Sequence, residues 1–163
     1  MSTVRIEPLT AERFEEFYRL VCALAEYERL SPPDDAARQR LYRDGFEHTP
    51  PRYEALLAMV DSTACGYCMF FETYSSFRAA PTLFLEDIFV LPQWRFRGIG
   101  HAMMRHLARI AVERGCQRME WLVLDWNEPA HRFYRTIGAE RLVQWQLYRL
   151  SDDNLARLAD ESA

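Results

Sequence analysis

Two adjacent carboxylates, Glu86 and Asp87, sit inside the apolar run Leu83-Phe84-Leu85-Glu86-Asp87-Ile88-Phe89-Val90. Acids in such a run are costly to bury unless they are paired, hydrogen-bonded or used. Shortly after Val90 comes Arg95-Phe96-Arg97-Gly98-Ile99-Gly100, at the head of an amphipathic segment. A turn with glycines at a helix start presents several backbone N–H groups, and those donors and the helix dipole favour phosphate. Arg95 and Arg97 add charge that can pair with phosphate oxygens. Farther along, Asn127-Glu128-Pro129 opens a short helix carrying Phe133 and Tyr134. The pattern predicts a site for a phosphate-bearing cofactor beside a pair of acids. Taken alone, R-x-x-G-x-G also fits a plain helix entry with surface arginines.

Periodicity supplies the elements that must position these groups. Val4 to Pro8 reads as a short strand. A helix with Phe14, Phe17, Val21, Leu24 and Ala25 on one face follows, with Thr10 as its expected cap and an end near Glu28. Pro32 and Pro33 break the chain, and Asp34 or Asp35 opens a second helix. Tyr53 to Val60 and Ala64 to Tyr74 read as an antiparallel hairpin turning at Asp61 to Thr63. Strand Leu83 to Val90 is apolar on both sides, Leu83, Leu85 and Phe89 against Phe84, Ile88 and Val90, as in a sheet covered on both faces. By the same alternation Glu86 and Asp87 point to opposite faces. The helix after Gly98 buries Met103, Leu107, Ile110 and Ala111 and stops at Gly115. Strand Met119 to Leu124 is then parallel to the one before the helix, through a right-handed crossover. Ala139 to Leu150 reads as one or two closing strands, and Ser151 as the cap of a last helix. The expectation is one α/β domain over residues 1–163 with a mixed sheet.

Composition narrows the chemistry. All 20 basic residues are arginine, so there is no lysine for a Schiff base, a P-loop or a lysine general base. A formal charge of -4 gives no bulk basic surface for nucleic acid or an anionic membrane. No apolar run approaches the ~18 residues of a membrane span, and the first residues lack the apolar core of a secretory leader; a cytoplasmic protein is expected. Cys65-Gly66-Tyr67-Cys68 has CxxC spacing, but it lies in a strand-like run, where positions three apart face opposite ways. No second such pair completes a zinc set. His101, His106 and His131 fall on expected helices, which suits solvent or capping roles better than catalysis.

The combination resembles the GNAT superfamily of acyl-CoA-dependent N-acyltransferases, whose pyrophosphate loop reads Q/R-x-x-G-x-G/A; Arg95, Gly98 and Gly100 match its fixed positions. LFLEDIFV, GIG, WNEP and FY in this order are similar to its diamine (spermidine/spermine) N-acetyltransferase-like branch. That resemblance implies a central mixed, mostly antiparallel sheet of about six or seven strands, with a parallel pair at the cofactor cleft and helices on both faces. It implies acetyl-CoA as cofactor. Ile88, Phe89 and Val90 would pair with the pantetheine arm, and the turn Arg95, Phe96, Arg97, Gly98, Ile99, Gly100 and His101 would hold the pyrophosphate. Asn127, Pro129, Ala130, Phe133 and Tyr134 would lie along the cofactor, with Tyr134 as general acid for the leaving thiolate. Glu86 would accept the proton of the attacking amine or neutralise a bound cation. Tyr27, Glu28, Glu86, Asp87, Asp125 and Trp126 would line an acidic, aromatic acceptor pocket.

Each of these roles has a plainer alternative. Tyr134 also reads as a helix residue pinned by a hydrogen bond, Asp87 as a hydrogen-bonded support, Tyr27 and Glu28 as an ordinary helix end, and Trp126 as core. Two departures stand out. Phe96 replaces the glycine often found after the first arginine in that branch, and Glu140 to Gln146 offers no acid of the kind polyamine acetylators use. The expected activity is direct transfer of an acetyl group to a small, cationic primary amine in a ternary complex. A homodimer is implied by the resemblance alone. A protein amine as acceptor, or an acyl-CoA-binding module without turnover, remains open; nucleotide binding lacks the Rossmann spacing.

Overall fold

The computed structural model describes residues 4–161. It divides into two compact units, at residues 1–124 and 125–163. The first holds a five-stranded sheet in the order β1 (Val4–Pro8), β2 (Glu54–Val60), β3 (Thr63–Ser75), β4 (Ala80–Val90) and β5 (Met119–Trp121). The first three pairings are antiparallel and β4–β5 is parallel. The hairpin and the parallel pair are as the sequence predicts, but the sheet has five strands rather than six or seven.

Helices α1 (Phe14–Tyr27) and α3 (Ile99–Glu113) cover the two faces. Phe14, Phe17 and Leu20 of α1 pack with Ala55, Leu57 and Met59 of β2, Tyr67 of β3 and Phe89 of β4. The intervening positions Leu56, Ala58, Phe70, Leu83 and Leu85 are equally buried but lie outside that cluster. They face the other way, where Met103, Met104, Leu107 and Ala111 of α3 supply the cover. Arg114 fixes the end of α3 by pairing with Glu54 at 2.6 Å and Glu72 at 3.1 Å on the same face. The helix α2 (Asp35–Tyr42) is capped by Asp34, which accepts from the Ala37 amide at 2.8 Å. Thr10 precedes a short 3₁₀ turn, Ala11–Arg13, ahead of α1, and its side chain caps no backbone amide there.

One register shift changes the reading of β4. Met69 pairs with Asp87 and Phe70 with Leu85, so Glu86 is an extra residue without a cross-strand partner. Such a bulge adds one residue and inverts the side-chain phase beyond it. Leu83 and Leu85 therefore face α3, whereas Phe89 joins the α1 cluster. The expected grouping of Leu83, Leu85 and Phe89 on one face is corrected. A second shift leaves Cys65 extra on β3. There its thiol donates to the Ala58 carbonyl at 3.1 Å, and burial raises the Cys68 thiol to about 12.

The second unit contains α4 (Glu128–Thr136) and α5 (Asp152–Asp160). The closing strands expected over Ala139 to Leu150 do not form. A strand exists only where a partner completes its ladder, and among the described residues none pairs with this segment. Its apolar side chains stay in solvent, with Trp145 73% and Tyr148 88% exposed. Strand β5 is likewise shorter than the Met119 to Leu124 expected, because its ladder with β4 ends at Leu85 and Trp121.

Candidate active site

Beyond Leu85, β4 has a ladder on its β3 side alone among the described residues. The edge from Glu86 to Val90 that would face β5 carries no strand, and it includes Ile88, Phe89 and Val90, the Val90 carbonyl being taken by Arg95. Main-chain N–H and C=O groups there can bond an extended ligand carrying amides. The strand then passes through a 3₁₀ turn at Pro92–Trp94 into the glycine turn.

That turn is built by its backbone. Gly98 is the N-cap of α3 with φ +77, a left-handed conformation that favours glycine. A Cβ at Gly98 would meet nothing within 4 Å, so the space in front of the turn is open. The first helical bond of α3 runs from the Ala102 amide to the Gly98 carbonyl at 2.9 Å. The amides of Ile99, Gly100 and His101 precede it and have no carbonyl to bond within the helix. Three outward amides at a helix start suit a pyrophosphate. Ile99 anchors the turn by burying its side chain.

The arginines are placed less simply than the sequence suggests. Arg95 donates its Nε to the Val90 carbonyl at 2.9 Å, and its guanidinium lies 4.6 Å from the Tyr27 ring centre and 5.6 Å from that of Phe89. It clamps the turn to the end of β4 and to α1. Arg97 lies over Trp94 at 4.8 Å, and Phe96 between them projects into solvent.

On the α1 face the bulge gathers acids. The cross-strand row Ala55, Met69 and Asp87 sits beside the row Leu57, Tyr67 and Phe89. Tyr67 donates its hydroxyl to Asp87 Oδ2 at 3.0 Å. Burial, with Glu86 and Glu28 adding like charge, raises the Asp87 carboxyl from 3.8 to about 6 against that bond. Burial also raises Glu28. It lifts the Tyr67 phenol well above its ordinary value, with Asp87 and Glu28 contributing. Tyr27 packs on Phe89 with ring centres 6.2 Å apart. Thus Glu28 and Asp87, distant in sequence, meet beside the Tyr27 and Phe89 rings that Arg95 covers, and the charge of Glu86 adds to theirs. Glu86 itself is exposed. Tyr67 was not among the expected site residues; it is hidden in an apolar strand run, and only the register puts its hydroxyl on Asp87.

The other expected residues belong to the second unit. Asn127 caps α4 by accepting from the Ala130 amide at 3.3 Å, and Pro129 occupies the first turn, as the sequence predicts. Phe133 and Tyr134 pack ring to ring at 5.3 Å. Tyr134 is half-buried, and burial raises its phenol to about 12. Asp125 and Trp126 are exposed on the approach to α4.

Residues 14–139 match the Acetyltransferase (GNAT) family. The chain belongs to that family. It is an acyltransferase of the diamine N-acetyltransferase-like branch, and its cofactor is acetyl-CoA. The open amides before Ala102, the left-handed Gly98 and the edge of β4 that carries no strand fit that cofactor. Among relatives, thialysine N-epsilon-acetyltransferase of Bos taurus is 34% identical, covering 86% of this chain and 88% of its own length. L-ornithine N5-acetyltransferase NATA1 of Arabidopsis thaliana is 39% identical over 58% of this chain and 42% of its own. An integron cassette protein of V. cholerae has the same fold, with a TM-score of 0.82 at 24% identity over 99% of both chains.

Proposed function

We propose that this N-acetyltransferase moves an acetyl group directly to the primary amine of a small cationic acceptor. An amino acid with a terminal side-chain amine, or a diamine, is the acceptor class. The observation that carries this reading is the acid corner of Glu28, Glu86 and Asp87, set where β4 parts from β5 and next to the cofactor turn. The relatives that act on thialysine and ornithine support the same class.

The cofactor supplies an activated thioester; the chain supplies position and proton transfer. Glu28 and Asp87, with the exposed Glu86 beside them, draw in an alkylammonium group. An ammonium of pKa ~10 must lose a proton before it can attack. Glu86, exposed at the bulge, is assigned that proton, directly or through water. A second reading gives the task to Asp87, because a carboxyl raised to about 6 is a stronger base than an ordinary one. Tyr134, with its phenol raised to about 12, stays protonated near neutral pH, as an acid for the leaving thiolate must. Asn127, Pro129, Ala130 and Phe133 are assigned to the wall along the cofactor, and Asp125 and Trp126 to the acceptor side. The homodimer implied by the family resemblance belongs to this proposal, and sedimentation at several concentrations checks it.

The deciding experiment follows thiol release from acetyl-CoA with thialysine, ornithine, lysine, diamines, polyamines and lysine peptides, using Tyr134→Phe as control. Turnover on one small amine, lost in the variant, is the expected result. Turnover on peptides alone would move the acceptor to a protein amine. Binding of acetyl-CoA with no turnover on any amine would make the chain an acyl-CoA-binding module.

A further inference from the structure

Phe96 sits at φ +60, the left-handed region, and its ring is fully exposed. A bulky residue there is an outlier, and the conformation costs an L-residue stability. The ring recovers none of that cost through burial. Its neighbours hold it in place: Arg95 is tied to Val90 and Tyr27, and Arg97 lies on Trp94. A glycine would satisfy the same turn without strain. The phenyl group is therefore displayed by a turn that folds at some expense, and such an outlier points to a ligand contact.

Position says which part of the ligand. Phe96 is three residues before Ile99, within ~11 Å of chain of the first of the α3 amides assigned to the pyrophosphate. The adenosine half of the coenzyme hangs from that same pyrophosphate and carries a flat purine. Purines stack on aromatic faces. Trp94 is the other aromatic residue in this turn, and Arg97 already covers it.

We infer that the Phe96 ring is the platform on which the adenine of acetyl-CoA stacks. The inference rests on the cofactor assignment and adds a residue that reads the nucleotide end rather than the thioester arm. The test is calorimetric binding of acetyl-CoA and of S-acetyl-4′-phosphopantetheine, the same arm without adenosine, to wild type and Phe96→Gly. Wild type should bind acetyl-CoA more tightly than the short donor. Phe96→Gly should lose about tenfold or more in acetyl-CoA affinity, ~1.4 kcal/mol, and keep its affinity for the short donor. Phe96→Trp should retain the preference. Thermal unfolding of each variant shows that it is folded. An unchanged preference in Phe96→Gly overturns the inference. So does a parallel loss for both donors, which would mean that Phe96 acts through the turn. Wild type that binds neither donor sinks the cofactor assignment and takes the inference with it.

Discussion

The glycine turn and the acid corner both adjoin the end of β4, but they are made of different material. The turn is backbone: a left-handed Gly98, the amides of Ile99, Gly100 and His101, and an arginine clamp that holds the loop against the strand. The corner is side chain: three carboxylates, two aromatic rings and the Tyr67 hydroxyl, brought together from α1, β3 and β4. Main-chain donors recognise any pyrophosphate and change little when side chains change. A corner of side chains can be retuned by single substitutions, and under the proposed function acceptor choice would be set there. The comparison teaches that cofactor and acceptor binding can be damaged separately.

The largest effect should come from Gly98→Val. A branched side chain in the left-handed region is strained by ~1–2 kcal/mol and fills the open space before the amides, so acetyl-CoA binding should vanish. Circular dichroism should show a folded chain, and retained binding would remove the turn from the site. Next, Tyr134→Phe should lower turnover ~10²-fold with little change in acetyl-CoA affinity; wild-type turnover would end its role as acid.

Asp87→Asn tests the corner through stability. The Asp87 carboxyl is raised from 3.8 to about 6, so its protonated form is the one the fold favours. Its contribution is fully present below pH 3.8 and is lost as pH rises through about 6. Relative to wild type, Asp87→Asn should gain on the order of 2 kcal/mol between pH 4 and pH 8, measured by denaturant unfolding at both. A pH-independent difference would mean that the carboxyl is not raised.

The smallest effect sharpens the division of labour. Glu86→Gln should cut amine turnover about tenfold or more and leave acetyl-CoA affinity unchanged. Equal loss of both would make Glu86 a structural acid. If Glu86→Gln is mild and Asp87→Asn removes turnover, Asp87 is the base.

Much of this molecule was legible before folding was considered. Gly98 and Gly100 after an apolar strand gave the helix N-terminus, because glycine and phosphate-binding turns are local chemistry. Asn127 with Pro129 likewise gave the start of α4. The alternation in β4 misled, because a bulge at Glu86 leaves no mark in one strand; it is defined by the partner's register. Tyr67 was missed for the same reason. The stretch from Ala139 to Leu150 reads as strand and forms none, since local composition shows the propensity to pair and not whether a partner is present.

The sequence alone determined most of the helices, the strands from β1 to β4, the glycine turn and the residue types able to move a proton, since each depends on neighbours within a few positions. The tertiary structure decided which acids meet, that Asp87 rather than Glu86 lies against Tyr67, and how far Asp87 and Tyr134 are raised. Those outcomes depend on burial and on cross-strand register, which arise only when distant segments come together.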